Sequence, residues 1–282
     1  MKLDRRALAA HPLPPSGTDG KESKGRILII AGSHDVPGAA LLAATAAMRT
    51  GAGQLAIATV ESVAMALAVA MPEAMVTGLP ETRGGGFAAA AVGKLTELAA
   101  KADAVVAGPG VKPSAACVDI AKALLATEAA LALDVAMLKA LQPPRAPRTS
   151  PPVLLPDQDE LAALLDCDEA EIEADPVACG LRAAKRFRAV VHVKGATGHV
   201  ISPAGEVWTH HSDAPGLGVS GSGDVLSGIV GGLLARGAEP LSALLWGVWL
   251  HGQAGVRLGK QIGPVGFLAR EIADAVPAVL PG

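Results

Sequence analysis

The sequence predicts an α/β protein in which a central, mostly parallel sheet is covered by helices on both faces. Short apolar stretches alternate with longer stretches of helical spacing through most of the chain, as in repeated strand and helix units. The first apolar stretch, residues 27–30, is an uninterrupted run of isoleucine and leucine, typical of a strand buried on both faces of a parallel sheet. The alanine-rich helical stretch after it stops at Gly51, since glycine readily adopts the left-handed end of a helix.

The predicted elements follow in order. Residues 1–25 are predicted to be an irregular lead-in with several prolines and glycines, and residues 26–282 a single domain. Strands are predicted at 26–31, 54–59, 74–78, 103–108, 130–134, 153–155 and 189–195, followed by a hairpin at 199–202 and 206–210. Helices are predicted at 39–50, 61–70, 87–100, 113–126, 135–141, 156–165, 176–188, 224–234 and 241–258. Residues 142–152 contain five prolines and are expected to form an exposed extended loop.

Composition excludes several classes of function. The net charge of −3 gives no attraction to a nucleic-acid backbone. Only 2% of the residues are aromatic and none is tyrosine, so few side chains are suited to stacking on nucleic-acid bases. Mean hydropathy is +0.39, but the longest apolar runs, near 63–71 and 244–250, are far shorter than the roughly 20 residues of a membrane span. The three cysteines have no CxxC spacing, and no apolar signal segment follows the charged N-terminus. We therefore expect a cytoplasmic protein that binds neither nucleic acid nor membrane.

The glycine turn at residues 221–224 is the strongest candidate for a functional site. Glycines and the unpaired N–H groups of a helix start form an anion site. The carboxylate of Asp224 would repel a phosphate, so it is expected either to accept a proton from a hydroxyl or to hold a metal ion. The alternative is that Asp224 only caps a helix whose glycines permit close packing. Gly228, Gly231 and Gly232 weaken this alternative, because each glycine inside a helix costs roughly 1 kcal/mol relative to alanine, so something must approach the helix closely.

Other candidates are weaker. The Gly108-Pro109-Gly110 turn follows a predicted strand, where open α/β sheets bind ligands, although an ordinary turn explains it equally well. His210 and His211 suggest a metal site, but adjacent strand residues point to opposite faces. His251 is interpreted as a packed helix residue, and the acidic residues 166–175 as a solvated surface.

Several of these segments, in order from Arg26 to Gly237, resemble one family. The chain is similar to the ADP/ATP-dependent NAD(P)H-hydrate dehydratases of the ribokinase-like superfamily. The matching segments are Gly32-Ser33, Gly38-Ala39-Ala40, residues 49–53, residues 72–76, Gly108-Pro109-Gly110, Lys194-Gly195-Ala196 and residues 221–226. The resemblance implies a ribokinase-like three-layer αβα sandwich with a central, mostly parallel sheet. It also implies repair of hydrated NADH or NADPH with ADP or ATP and Mg²⁺, and a possible homo-oligomer.

The resemblance also implies roles for individual residues. Asp224 would take the proton of the ring hydroxyl as that hydroxyl attacks the terminal phosphoryl group, and phosphate would then leave. Nucleotide binding is implied for Lys194, Gly195, Ala196, Thr197, Gly198, Gly221, Ser222 and Gly223. Binding of the hydrated dinucleotide is implied for Ala39, Gly110, Asp157 and Asp224.

The chain departs from the family pattern mainly on the substrate side, at Asp157, Ala136 and Asp213. These departures motivate an alternative function, a kinase of the same fold that phosphorylates a sugar or hydroxymethyl group. A non-catalytic nucleotide-binding relative is a third hypothesis. The intact Asp224 argues against it.

Overall fold

One sheet organises the chain in this computed structural model, which describes residues 1–15 and 20–281. Its strands within the described residues are β1 Arg26–Ile30, β2 Gln54–Val60, β3 Ala74–Leu79, β4 Ala104–Ala107, β5 Ala130–Leu133, β6 Val153–Leu154, β7 Val190–Val193, β8 Thr197–Ile201 and β9 Val207–His211. The spatial order is β3-β2-β1-β4-β5-β6-β7-β8-β9. Pairs from β3 to β7 are parallel, whereas β8 and β9 form the predicted antiparallel hairpin at one edge.

Helices lie on both faces of this sheet. They are α1 Arg5–Ala9, α2 Gly38–Arg49, α3 Glu61–Ala70, α4 Val92–Ala99, α5 Ala116–Leu125, α6 Ala136–Lys139, α7 Gln158–Leu165, α8 Glu169–Ala174, α9 Pro176–Phe187, α10 Ser222–Ala235, α11 Pro240–Gln261 and α12 Ala269–Ala275. Successive side chains of a strand point to opposite faces. Accordingly, Ile27 and Ile29 join a core with α2, α10, α11 and α12, whereas Leu28 and Ile30 join a second core with α4, α5, α7 and α9. The three-layer sandwich expected from the sequence is confirmed.

The glycines of α10 are explained by close packing. A side chain at Gly228 would clash with the backbone oxygen of Ala43 in α2, and one at Gly231 would clash with Val106 in β4. Helix α10 therefore lies directly against both a helix and the sheet. This contact fixes where its first turn stands relative to the strand ends.

The structure corrects one sequence expectation and adds two helices that were not predicted. The lead-in of residues 1–25 is not wholly irregular, because it contains α1 and a 3-10 turn at Lys21–Lys24, and Leu8 is buried in the core; residues 16–19 of that segment lie outside the described residues. The acidic residues 166–175 are mostly exposed, as expected, and they include the short helix α8, which was not predicted. Helix α12 has no counterpart among the predicted helices. The single domain over residues 26–282 stays a prediction.

The helices of the described chain include none that is both long enough and apolar enough to cross a membrane.

Candidate active site

The first turn of α10 has the backbone geometry that its glycines permit. Gly221 has φ 87°, and a Cβ there would lie 2.5 Å from Leu42 Cδ1 and 3.2 Å from Ala269 Cβ, so a larger residue would be both strained and crowded. The Ser222 amide donates to Val219 O at 3.1 Å. The next amides of this first turn have no acceptor within the helix and carry partial positive charge.

Asp224 stands in this turn as a partly buried carboxyl group. Burial, and next the negative charge of Asp134, raise its pKa from 3.8 to about 6, while the positive charge of Lys194 acts in the opposite direction. A carboxylate with such a pKa is ionised at neutral pH and is a stronger base than an exposed aspartate. The position fits the base predicted from the sequence.

Asp134, at the end of β5, ties three parts of the site together. It is 2% exposed and accepts hydrogen bonds from Ser227 Oγ at 2.6 Å, Val135 N at 3.1 Å and Lys194 Nζ at 3.3 Å. The backbone around it is constrained: Val135 has φ 47°, unusual for a β-branched residue, and a side chain at Gly108 would clash with Asp134 O. Asp134 thus joins α10 to the loop that follows β7.

Asp157 begins α7 and forms a reciprocal pair with Glu160. Asp157 Oδ1 accepts from Glu160 N at 2.8 Å, and Glu160 Oε2 accepts from Asp157 N at 2.9 Å, a capping box. Glu160 is 5% exposed, and burial raises its pKa to about 7. The structure therefore gives Asp157 a helix-capping contact, whereas its predicted contact with the substrate stays a prediction.

Ala39 and Gly110, both predicted on the substrate side, lie next to each other. Gly110 has φ 63°, and a Cβ there would lie 2.5 Å from Ala39 Cβ and 2.8 Å from Val36 O. The turn after β4 consequently sits against the start of α2, and only glycine leaves room for it. A further link is the hydrogen bond from Gly32 N to Pro109 O at 2.8 Å.

A cavity of about 620 Å³ opens between the loop after β7, the loop before α10 and α11. The predicted nucleotide-binding residues that line it are Lys194, Gly195, Ala196, Gly198, Ser222 and Gly223. Thr197 instead has its hydroxyl 3.0 Å from His211 Nδ1, and Gly221 faces α2 and α12. Lys194 Nζ lies 3.8 Å from the position of a Cβ at Gly223, so the amine and the first turn of α10 face the same space.

Sequence reasoning missed three residues of this region. His251 is not simply packed, because its Nε2 lies 3.0 Å from Ser222 Oγ and its ring lines the cavity. Asp134 and Glu160 were not assigned to the site. The available signal for these two was position: Asp134 is the last residue of one predicted strand, Glu160 lies near the start of the helix after another, and α/β sheets place ligands at these strand ends.

Strand β9 carries the two adjacent histidines for which the sequence suggested a metal site. His210 packs against Gly252, and the exposed His211 binds Thr197, so the two rings face opposite sides of β9 as predicted. Within residues 1–15 and 20–281 there is no cluster of three or more histidine, cysteine or acidic side chains able to hold a metal ion.

The arrangement supports phosphoryl transfer to a hydroxyl group. A basic carboxylate, helix-start amides and a lysine lie close together, with a cavity of about 620 Å³ beside them. Together with the sheet order and its covering helices, these features define an enzyme of the ribokinase-like class.

Within that class, comparisons identify the family. The chain belongs to the NAD(P)H-hydrate dehydratase family, whose model matches residues 27–278. It is 48% identical over 275 residues to the ADP-dependent (S)-NAD(P)H-hydrate dehydratase of Xanthomonas campestris, covering 97% of this chain and 94% of that protein. It spans about half the length of the bifunctional NAD(P)H-hydrate repair enzymes that it also matches.

Solved structures of similar proteins support the same family. The ADP/ATP-dependent NAD(P)H-hydrate dehydratase of Bacillus subtilis, co-crystallised with ATP and Mg²⁺, has a TM-score of 0.85 at 26% identity and covers 99% of this chain and 96% of its own. A ribokinase-like superfamily protein of Enterococcus faecalis has a TM-score of 0.81 at 25% identity, covering 98% and 94%. These findings confirm the resemblance inferred from the sequence, and they support dehydration over the alternative of a sugar or hydroxymethyl kinase.

Proposed function

We propose that this chain restores NADH or NADPH from the (S)-hydrate with ADP or ATP, and that Asp224 is its base. One observation carries the assignment of the base: the Asp224 carboxyl, whose pKa burial raises to about 6, stands in the glycine turn beside the cavity lined by Lys194. The Xanthomonas relative is named as ADP-dependent, and the Bacillus relative as ADP/ATP-dependent. A possible homo-oligomer stays a prediction.

The chemistry follows from the leaving group. A ring hydroxyl is expelled poorly, whereas a phosphate ester is expelled readily. Asp224 accepts the hydroxyl proton while the hydroxyl oxygen bonds to the terminal phosphorus and the bond from phosphorus to the nucleotide oxygen breaks. The lone pair of the ring nitrogen then expels phosphate to leave an iminium ion, and the neighbouring ring carbon gives a proton to water, which restores the double bond. The amides of the first turn of α10 stabilise charge on the transferred group.

Lys194 supports this step by charge and position. Its amine donates to Asp134 Oδ1 at 3.3 Å and also faces the space in front of Gly223. A flexible ammonium group suits the oxygens of a polyphosphate. We infer that it orients the terminal phosphates, while Asp134 holds the lysine in place.

Mg²⁺ fits the charge of this site. Asp134, Glu160 and Asp224 bring three carboxyl groups into one electrostatic neighbourhood, since the charge of Asp134 raises the pKa of both Asp224 and Glu160. Mg²⁺ usually binds one or two carboxylates together with substrate phosphates and water, so the absence of a closed ligand cluster among the described residues does not conflict with it. Asp134 and Glu160 would hold the ion, which neutralises phosphate charge when bound.

The test is an assay of hydrated NADH with ADP or ATP and Mg²⁺, following the absorbance of the restored dihydropyridine and the release of phosphate. We expect equal amounts of restored NADH and phosphate. Accumulation of a phosphorylated product without NADH would instead indicate a kinase. Asp224→Asn is the matched variant, since it keeps the shape of the side chain and removes the base.

A further inference from the structure

Three histidines from three elements surround the inner end of the cavity beside Lys194. His192 comes from β7, His210 from β9 and His251 from α11, and all three line the cavity. His251 has its contact with Ser222 Oγ. The other two rings have no hydrogen-bond partner among residues 1–15 and 20–281, and the buried atoms His192 Nδ1 and His210 Nε2 are unpaired.

Unpaired polar groups at this depth call for an explanation. His192 is only 7% exposed, and buried polar side chains in native proteins nearly always have a partner. His199 on the neighbouring strand illustrates the usual case: it is 8% exposed, and its Nδ1 lies 3.1 Å from Thr209 Oγ1. His199 does not line the cavity, whereas His192 and His210 do. Both rings that lack a hydrogen bond thus line the cavity, although the atoms His192 Nδ1 and His210 Nε2 are themselves buried.

Two glycines let these rings pack closely against the backbone at the cavity. A Cβ at Gly198 would lie 3.1 Å from His192 Nε2, and one at Gly252 would lie 2.7 Å from His210 Nε2. Both glycines also line the cavity. Because no hydrogen bond fixes either ring, a ligand in the cavity would not have to displace a protein group from the ring nitrogens.

The charge state of the rings limits the ligand. Burial lowers the pKa of His192 to about 3 and also lowers that of His210, with Asp213 acting in the opposite direction on His210. Both rings are therefore neutral at pH 7, and each offers one N–H donor and one acceptor nitrogen. Such a pair does not suit a phosphate. It does suit the edge of a planar base, which carries both donors and acceptors.

We propose that His192 and His210 recognise the base of the nucleotide by hydrogen bonds from inside the cavity, and so set the preference of the enzyme for its phosphoryl donor. This inference rests on the proposed function only in taking the cavity beside Lys194 as the nucleotide site. The phosphates then lie toward Lys194 and the first turn of α10, and the base lies toward β7 and β9.

The test compares ligands with and without a base. Calorimetry on the full chain measures the Kd of ADP and of inorganic pyrophosphate for the wild type, His192→Leu and His210→Leu. Each variant is expected to weaken ADP binding about 5- to 10-fold, the effect of losing one hydrogen bond, and to leave pyrophosphate binding unchanged. His192→Gln, which keeps a donor and an acceptor, should recover part of the ADP affinity. His199→Leu is the control and should bind both ligands as the wild type does.

Thermal unfolding without ligand separates recognition from structural support. Replacing an unpaired buried ring by an apolar side chain should leave the Tm equal to or above that of the wild type. A lower Tm with weaker binding of both ligands would mean a structural role and would overturn the proposal, as would unchanged ADP binding in both variants. If the wild type dehydrates the hydrate but the variants bind ADP normally, this inference alone is wrong. If ADP binding changes as expected but no hydrate is converted, the proposed function alone is wrong.

Discussion

At the scale of single residues, the proposed chemistry depends on the protonation of Asp224. Its pKa of about 6 means that the base is lost as the pH falls below 6. We expect kcat/KM for the hydrate to fall about tenfold per pH unit below that value, and Asp224→Asn to lower kcat about 10²- to 10⁴-fold, the usual contribution of a general base. ADP binding by the variant, measured by calorimetry, should stay near that of the wild type. A flat pH profile down to pH 5 would contradict the role of Asp224.

The same carboxyl group should make the protein less stable at high pH. A carboxyl whose pKa is raised in the folded state from 3.8 to about 6 is ionised more readily in the unfolded chain, so stability is lost as the pH rises through this interval. Asp224→Asn should therefore raise the free energy of unfolding at pH 8 by on the order of 1–3 kcal/mol, and the difference should disappear near pH 4. Urea unfolding of the wild type and the variant at pH 8 and pH 4 measures this difference in the free energy of unfolding. If Asp224→Asn were less stable than the wild type at pH 8, burying the Asp224 charge would not destabilise the folded protein.

At the scale of elements, the position of the first turn of α10 depends on the contact between α10 and α2. A methyl group at Gly228 would meet the Ala43 backbone oxygen and lie 2.8 Å from Ala46 Cβ. Gly228→Ala should lower stability by about 1–3 kcal/mol through overpacking, despite the better helix propensity of alanine. Gly259→Ala in α11 is the matched control, because nothing lies within 4 Å of its Cβ; it should stabilise by roughly 0.5–1 kcal/mol. Chemical unfolding of both variants measures the change in stability. Equal changes for Gly228→Ala and Gly259→Ala would argue against the close contact between α10 and α2.

Whether an element or contact could be predicted from the sequence depends on how local its pattern is. The apolar run of residues 27–30 and the hydrophobic face of α10 are local patterns, and both elements form where expected. Helix α12 is a short helix near the end of the chain, and no pattern was recognised there. The hydrogen bond between Asp134 and Ser227 joins residues 93 positions apart. Such a contact exists only after the strands are ordered in the sheet, so the sequence placed Asp224 but not the network that holds it.

At the scale of the whole molecule, the cavity proposed to bind the nucleotide is built by segments that are distant in sequence. The loop after β7, the start of α10 and the middle of α11 meet only in the complete fold. A ligand that contacts all three stabilises the folded state as a unit, because the unfolded chain has no such cavity. Binding should consequently be visible in global unfolding, even though it involves few residues.

ADP with Mg²⁺ should raise the Tm of the full chain. At a concentration one hundred times the Kd, the gain is about 2.7 kcal/mol, and each kcal/mol raises the Tm by roughly 2–4 °C for a protein of this size class. Lys194→Met should bring a much smaller rise at the same ADP concentration, because it removes the cation that Asp134 positions before Gly223. Lys139→Met is the control, since that lysine pairs with Asp159 on an exposed surface. Calorimetric scans with and without nucleotide give the result. If Lys194→Met kept the full rise, phosphate binding would not depend on this amine, and the cavity would hold the nucleotide by other contacts.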